Sequence, residues 1–294
     1  MQIKVGTRKS KLAMIQTNLV CDLIKKHFPD ITIEIIPIVT SGDKILNKNL
    51  YNIGGKALFL KELEEQLIAS NIDLAVHSLK DVPGIIPEEL SIAAVLPRED
   101  ARDVLISTKF TNLQEIDDNS IIGSSSVRRK VILEQLNPNI KFTQFRGNVE
   151  TRLNKLRQGE VDATILALAG LKRLNLFDPK ICHPIELNDM LPAAGQGIIG
   201  IEIRKSDQSM QELCKQINDQ ETWYLAAAER GFLTELDASC RTPMAAYAKY
   251  DNQGKIIADY MLASEDGKSV KYHREIASKK EATNIGVKAA SRLS

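Results

Sequence analysis

IKVGTRKSKLAMIQTNLV (residues 3–20) reads as a β-branched strand, a glycine turn, hydroxyl residues with an arginine, and then a helix. IIGSSSVRRKVILEQL (residues 121–136) repeats that plan. In both, glycine permits the tight turn and a serine or threonine caps the helix. Arg8, Arg128 and Arg129 then stand at or near helix N-termini, where free backbone N–H groups and the helix dipole favour anions. A second echo pairs LKELEEQLIASNIDLAVHSL (60–79) with VETRLNKLRQGEVDATILAL (149–168), each a helix followed by a β-branched residue, an aspartate and an apolar strand. Two similar α/β domains related by duplication explain both echoes, against the alternative of coincident strand–helix patterns. The echoed elements are further apart in the first half, which places an insertion in SGDKILNKNLYNIGGKA (41–57).

LPREDARDVLIS (96–107) reads as the first crossing between these domains and LPAAGQGIIGIEIRK (191–205) as the return. The return contains Gly195, Gly197 and Gly200 at the spacing of a dinucleotide-binding loop. That loop needs a strand before it and a helix after it; here a Pro-Ala-Ala turn precedes and an isoleucine-rich strand follows, so the nucleotide reading fails. From Asn218 the style changes. Residues 221–236 predict a helix, and three strand-like runs follow, joined by turns at Asp251–Gly254 and Glu265–Gly267. A last helix opens at Ser278, with Glu281 at capping-box spacing. The expected division is 1–97 with 198–217 as a discontinuous first domain, 98–197 as the second, and 218–294 as a small α+β third domain.

The 294 residues suffice for two or three such cores, and 43% hydrophobic with 26% charged content is ordinary for a globular chain. No apolar run approaches a membrane span, and MQIKVGTRKS lacks a signal-peptide core, so the expectation is a cytoplasmic protein with no membrane partner. A net charge of +1 and an aromatic content of 5% weigh against a nucleic-acid binder. The four cysteines, Cys21, Cys182, Cys214 and Cys240, lack CxxC spacing, which predicts neither a metal site nor a disulfide framework. Cys214 falls at core spacing with Met210, Leu213 and Ile217; Cys21 lies in a long amphipathic helix and Cys182 in a proline-flanked loop. Burial is the ordinary role of such thiols.

Cys240 is different: it sits in a turn, LDASCRTP (236–243), beside Arg241 and polar neighbours. Asp81 closes the strand of IDLAVHSLKDVPG (72–84), where ligands bind beyond the carboxyl ends of strands; a solvated Lys80–Asp81 pair is the alternative. His77, further back, reads as a satisfied core histidine. Arg8, Arg128, Arg129, Arg146, Arg152 and Arg173 fall at strand–helix junctions or on first turns of helices. Each alone is an ordinary surface charge. Together, in a nearly neutral chain, they describe a cleft between domains for a ligand bearing many carboxylates.

GTRKSKLAMIQ, GGKALFLKELE, DLAVHSLKDVP, PREDARDVL, GSSSVRRK, FRGNVETRLNKL, ILALAGLKRL, LPAAGQGIIGIE and AERGFLTELDASCRTPMAAY follow one another in order over roughly residues 4–248. In these stretches the chain closely resembles the hydroxymethylbilane synthase, or porphobilinogen deaminase, family. The resemblance implies two doubly wound domains, periplasmic-binding-protein-like of type II, and a C-terminal domain with a three-stranded antiparallel sheet. It implies a dipyrromethane cofactor in thioether linkage to Cys240, contacted by Lys80, Asp81, Ser126, Arg128, Arg129 and Arg146. Asp81 would be the catalytic carboxylate; Arg8, Ser10, Arg152 and Arg173 would bind substrate. It further implies porphobilinogen as substrate, no metal, a monomer, and a lid at 41–57. Arg241 is expected to help lower the Cys240 pKa. Two departures stand out. Ala238-Ser239 replaces the usual glycine pair before the cysteine, which stiffens the turn, and Ala101 replaces a common proline at the first crossing.

Overall fold

Ile3 and Val5 of β1 (Gln2–Arg8) are fully buried, and the strand hands over directly to α1 (Lys11–His27). Ser10 caps that helix, its Oγ accepting from the Ala13 N–H at 3.3 Å, and Lys25, Lys26 and His27 close the last turn where cations suit the dipole. The computed structural model describes residues 1–44, 60–237 and 242–294. The chain continues through β2 (Thr32–Ile38), α2 (Ser41–Lys44), α3 (Lys61–Ile68), β3 (Leu74–Ser78) and β4 (Leu90–Val95). It then crosses to β5 (Asp103–Ile106), β6 (Ile121–Gly123), α4 (Val127–Leu136), β7 (Lys141–Thr143), α5 (Val149–Arg157), β8 (Ala163–Ala167), α6 (Leu168–Arg173) and β9 (Cys182–Pro184). After β10 (Ile199–Arg204) and α7 (Gln208–Ile217) come α8 (Gln220–Glu235), β11 (Met244–Tyr250), β12 (Ile256–Ala263), β13 (Val270–Ala277) and α9 (Ala282–Leu293).

Two sheets share one topology. The first runs β2-β1-β3-β10-β4 and the second β7-β6-β8-β5-β9. In each, the echoed strand lies second between two parallel neighbours, and the fourth strand runs antiparallel. The sequence echo is thus an echo of topology. Each sheet is covered on both faces, which is why its strands are apolar runs. In the first, Ile24 of α1 and Leu213 of α7 cover one face, and Leu63 and Leu67 of α3 cover the other. In the second, Ile132 and Leu133 of α4 oppose Leu153 of α5 and Leu171 of α6. This is the doubly wound, periplasmic-binding-protein-like plan that the resemblance implied.

The third sheet is the antiparallel meander β11-β12-β13. Phe232 of α8 meets Tyr260 of β12 with ring centroids 4.8 Å apart, and Ile285 and Ala289 of α9 join the same core. From the opposite face Ala245 and Met261 enter the core of the second lobe, so the meander is clamped between its helices and that lobe. The Ser278–Glu281 capping box forms, but it closes a 3-10 turn, and α9 begins only at Ala282.

The glycines of the return crossing form a turn that runs into β10. Gly197 has φ +88°, and a Cβ there would run into the carbonyl oxygen of Glu99, so glycine lets the two crossings touch. Cys182 departs from its expected loop: it lies on the edge strand β9 and is buried. Among the described residues no helix is long and apolar enough to cross a membrane.

Candidate active site

Asp81 ends a single 3-10 turn, Leu79–Asp81, held by two buried apolar neighbours, Leu79 and Val82. The Leu79 N–H donates to the Ile198 carbonyl at 2.9 Å, tying the turn to the return crossing. On the far side Arg230 of α8 donates to the carbonyls of Val82 and Pro83 at 3.3 and 3.0 Å, and Thr234 Oγ1 donates to that of Gly84 at 3.0 Å. The backbone beneath the acid is therefore fixed while its carboxylate is exposed. Asp81 lines a cleft with Arg8, Ser10, Gln16, His77 and Ser78. Ser10 thus does two things, capping α1 and facing that cleft.

The second lobe contributes cations nearby: the charges of Arg129 and Arg128 reach Lys80, and that of Asp81 reaches Arg152. Arg128 and Arg129 lie in the first turn of α4, whose cap is Ser126, its Oγ accepting from the Arg129 N–H at 3.4 Å. Both side chains turn inward onto Asp103 of β5. Arg128 Nη2 is 2.8 Å from Oδ2 and Arg129 Nη2 is 2.6 Å from Oδ1, with Asp103 wholly buried. The two guanidinium groups hold the Asp103 carboxyl far below the usual range against the cost of its burial. Gln196 bridges the lobes here: its Nε2 donates to Asp103 at 3.1 Å and to the Ala101 carbonyl at 2.7 Å, and its Oε1 accepts from Lys80 Nζ at 3.4 Å. Ala101 thereby takes part in the crossing through its backbone.

Burial, together with nearby Arg129 and Arg128, pulls Lys80 down to about 8, although Asp81 and Asp103 oppose the shift. Burial and the charges of Arg129 and Arg146 likewise pull Arg152 down to about 10, with Asp81 opposing. Arg152 Nε is anchored on the Gly147 carbonyl at 3.0 Å. Arg173 sits at the last residue of α6 rather than on a first turn, and donates to the Gly197 carbonyl at 2.7 Å. Burial disfavours the charged form of each of these groups, and a ligand rich in carboxylates offsets that cost.

A further junction was invisible in the sequence. Glu229 of α8, wholly buried, accepts from Arg98 at 2.6 and 3.2 Å and from the backbone N–H groups of Gly195 and Ala248, each at 2.7 Å. Arg98 also donates to the Gln196 carbonyl at 2.9 Å and stacks 4.7 Å from the Tyr247 ring centroid. Both crossings are thus pinned to α8 and β11 at one carboxylate. The only sequence signal for Glu229 was an acid on the apolar face of a helix.

Residues 3–212 match the family model for the porphobilinogen deaminase dipyrromethane-cofactor-binding domain, and residues 223–294 match that for the porphobilinogen deaminase C-terminal domain. The chain belongs to the porphobilinogen deaminase family. The porphobilinogen deaminase of Rickettsia bellii is 57% identical over 288 residues, covering 98% of this chain and 96% of that one. The porphobilinogen deaminase of Rickettsia prowazekii is 54% identical over 291 residues, covering 99% and 97%. Among solved structures, the periplasmic VFT2 domain of Bordetella pertussis BvgS aligns with a TM-score of 0.45 at 14% identity, covering 74% of this chain and 86% of that one. That likeness is too loose to bear on function.

Family membership makes dipyrromethane the cofactor, and the donor set fits it: Lys80 and Arg152 are buried cations that feel the charge of Asp81, and Arg128 and Arg129, whose charges also reach Lys80, share one acid, Asp103. Cys240, Arg241, Ala238, Ser239 and most of the lid expected at 41–57 lie outside the described residues. The other three thiols are buried, and burial pushes Cys21 up to about 11, Cys214 up to about 12 and Cys182 upward. None of the three is a ready nucleophile near neutrality.

Proposed function

We propose that the protein is a transferase that joins four porphobilinogen molecules head to tail into hydroxymethylbilane, releasing ammonia at each addition, from a primer in thioether linkage to Cys240. The observation that carries the reading is one exposed carboxylate, Asp81, with two buried cations, Lys80 and Arg152, close enough to feel its charge. When bound, the dipyrromethane supplies a free pyrrole α-carbon as the nucleophile for the first addition.

Loss of ammonia from the substrate's aminomethyl group leaves a cationic pyrrole. Asp81, preorganised on its fixed turn, stabilises that charge electrostatically and by accepting pyrrole N–H hydrogen bonds. Each ring also carries acetate and propionate groups, so the lengthening chain gathers negative charge. Lys80, Ser126, Arg128, Arg129 and Arg146 hold the primer's carboxylates, and Arg8, Ser10, Arg152 and Arg173 those of incoming substrate. In this reading the protein is a cytoplasmic monomer that needs no metal, divided at 1–97 with 198–217, 98–197 and 218–294.

Denatured protein is expected to weigh more than its sequence by two pyrrole units, and Cys240→Ser to abolish the increment. An unmodified mass, with no ammonia released from porphobilinogen, would mean an anion-binding protein without catalysis. The lowered Lys80 pKa adds a pH dependence. Lys80 is charged below about 8 and loses its proton above it, so its hold on carboxylates fades as pH rises through that value. Primer loading of apo-protein, followed by mass spectrometry, is expected to slow above about pH 8. Lys80→Arg, which keeps its charge, is expected to move that limit upward.

A further inference from the structure

His77 is 5% exposed, yet it forms part of the cleft wall beside Ser78 and Asp81. Its Nε2 lies 2.9 Å from Oε2 of Glu202, a β10 residue with no solvent exposure. Glu64 of α3 is 7% exposed and electrostatically coupled to both groups. Each carboxylate keeps one buried oxygen, Oε1, with no hydrogen-bond partner among the described residues. The other charges that bear on the cluster are Glu65 on α3, Arg230 on α8, and Asp81 and Arg8 from the cleft. Lys80 points elsewhere, to Gln196.

Two buried carboxylates and one imidazole cannot all be deprotonated without leaving like charges side by side in an apolar setting. Burial and the Glu202 charge accordingly push Glu64 up to about 7. The reaction makes a proton at this place. As the substrate's C–N bond breaks, ammonia leaves with the bonding pair; the attacking ring carbon supplies the pair for the new C–C bond and then gives up its hydrogen as a proton.

We propose that Glu64, His77 and Glu202 form a buried proton-holding relay that opens on the cleft through His77 and takes up the proton that each ring substitution releases beside Asp81. His77 accepts at the ring nitrogen not bonded to Glu202. Glu202 fixes the ring's tautomer and steadies its charge, and Glu64 carries the proton held between turnovers. The proton then passes to the departing ammonia, so ammonium leaves and no oxidant or reductant enters. Glu202 is a positioning residue, acting through His77, and Glu64 exchanges its proton only by way of His77. The inference rests on the transferase reading above.

The test is the pH dependence of kcat in the holoenzyme. Wild-type kcat is expected to fall as pH drops through about 7, because a fully protonated relay accepts nothing. Glu64→Gln removes the carboxyl that burial and Glu202 raise to about 7, so that acid limb is expected to move down by about one pH unit. The two-pyrrole mass increment should persist, because Glu64 holds no part of the primer, while kcat at the optimum should fall. A nitrogen NMR titration of His77 in wild-type and Glu64→Gln holoenzyme guards against misfolding: coupled steps should collapse to one. Superimposable pH profiles, with one His77 step unmoved by the substitution, would overturn the relay while leaving the transferase intact. Loss of the mass increment in wild-type protein would instead sink the transferase reading itself.

Discussion

Asp81→Asn is expected to lower kcat by roughly 10²–10⁴, the range for losing a positioned proton-transfer or charge-stabilising group. At 1.36 kcal/mol per tenfold, that is about 3–5 kcal/mol of transition-state stabilisation. The fold should not register the change. The side chain is exposed, and the turn is held by Leu79, Val82 and their backbone partners rather than by the carboxylate. An asparagine of the same shape still offers one carbonyl oxygen to a pyrrole N–H but no charge. KM should change much less than kcat, because carboxylate recognition rests on the arginines and Lys80. The primer's mass increment should persist, since Cys240 is unchanged. Single-turnover ammonia release, the protein mass and the melting temperature together check this. Near-normal kcat would remove Asp81 from the chemistry, whereas low kcat with a lowered melting temperature would make it a structural acid.

How the residues divide between legible and hidden follows from range. The paired strand–turn–helix units were readable because their signals are local: β-branched runs, a glycine, a hydroxyl cap, then 3.6-residue periodicity. Asp81 was readable because a strand stopped by Pro83 declares its own end. What stayed hidden depends on partners far away in sequence. Asp103 bonds Arg129, 26 positions on. Glu229 bonds Arg98 across 131 positions, and Glu202 bonds His77 across 125. No local pattern separates such an acid from a surface one. The arginines of α4 illustrate the consequence. Their position at a helix N-terminus was legible, but their inward turn onto Asp103 was not, and it makes them parts of the scaffold as well as of the proposed anion site. Cys182 misled for a related reason: Pro184 is tolerated because β9 is an edge strand, so the nearby proline did not mean a loop.

Asp103→Asn is expected to cost about 3–5 kcal/mol of stability, the usual cost of breaking a buried ion pair from one side. The carboxylate has no solvent exposure and faces two guanidinium groups that are themselves almost fully buried. Asparagine keeps the volume and one acceptor oxygen for Gln196 Nε2, but leaves two positive charges with no anion between them. At about 2–4 °C per kcal/mol for a chain of this size, the melting temperature should drop by roughly 10 °C. Because Asp103 titrates far below its ordinary value, its contribution is fully present above the unfolded carboxylate's range and fades only as pH falls toward the folded value. The deficit should therefore be constant from about pH 5 to 8 and shrink in acid. The same substitution should be less damaging in protein carrying its primer than in apo-protein, because the primer's carboxylates then share the neutralisation of Arg128 and Arg129. Equal losses in both forms would mean that these arginines serve the scaffold alone, and the carboxylate-holding role would have to move to Arg146, Arg152 and Lys80.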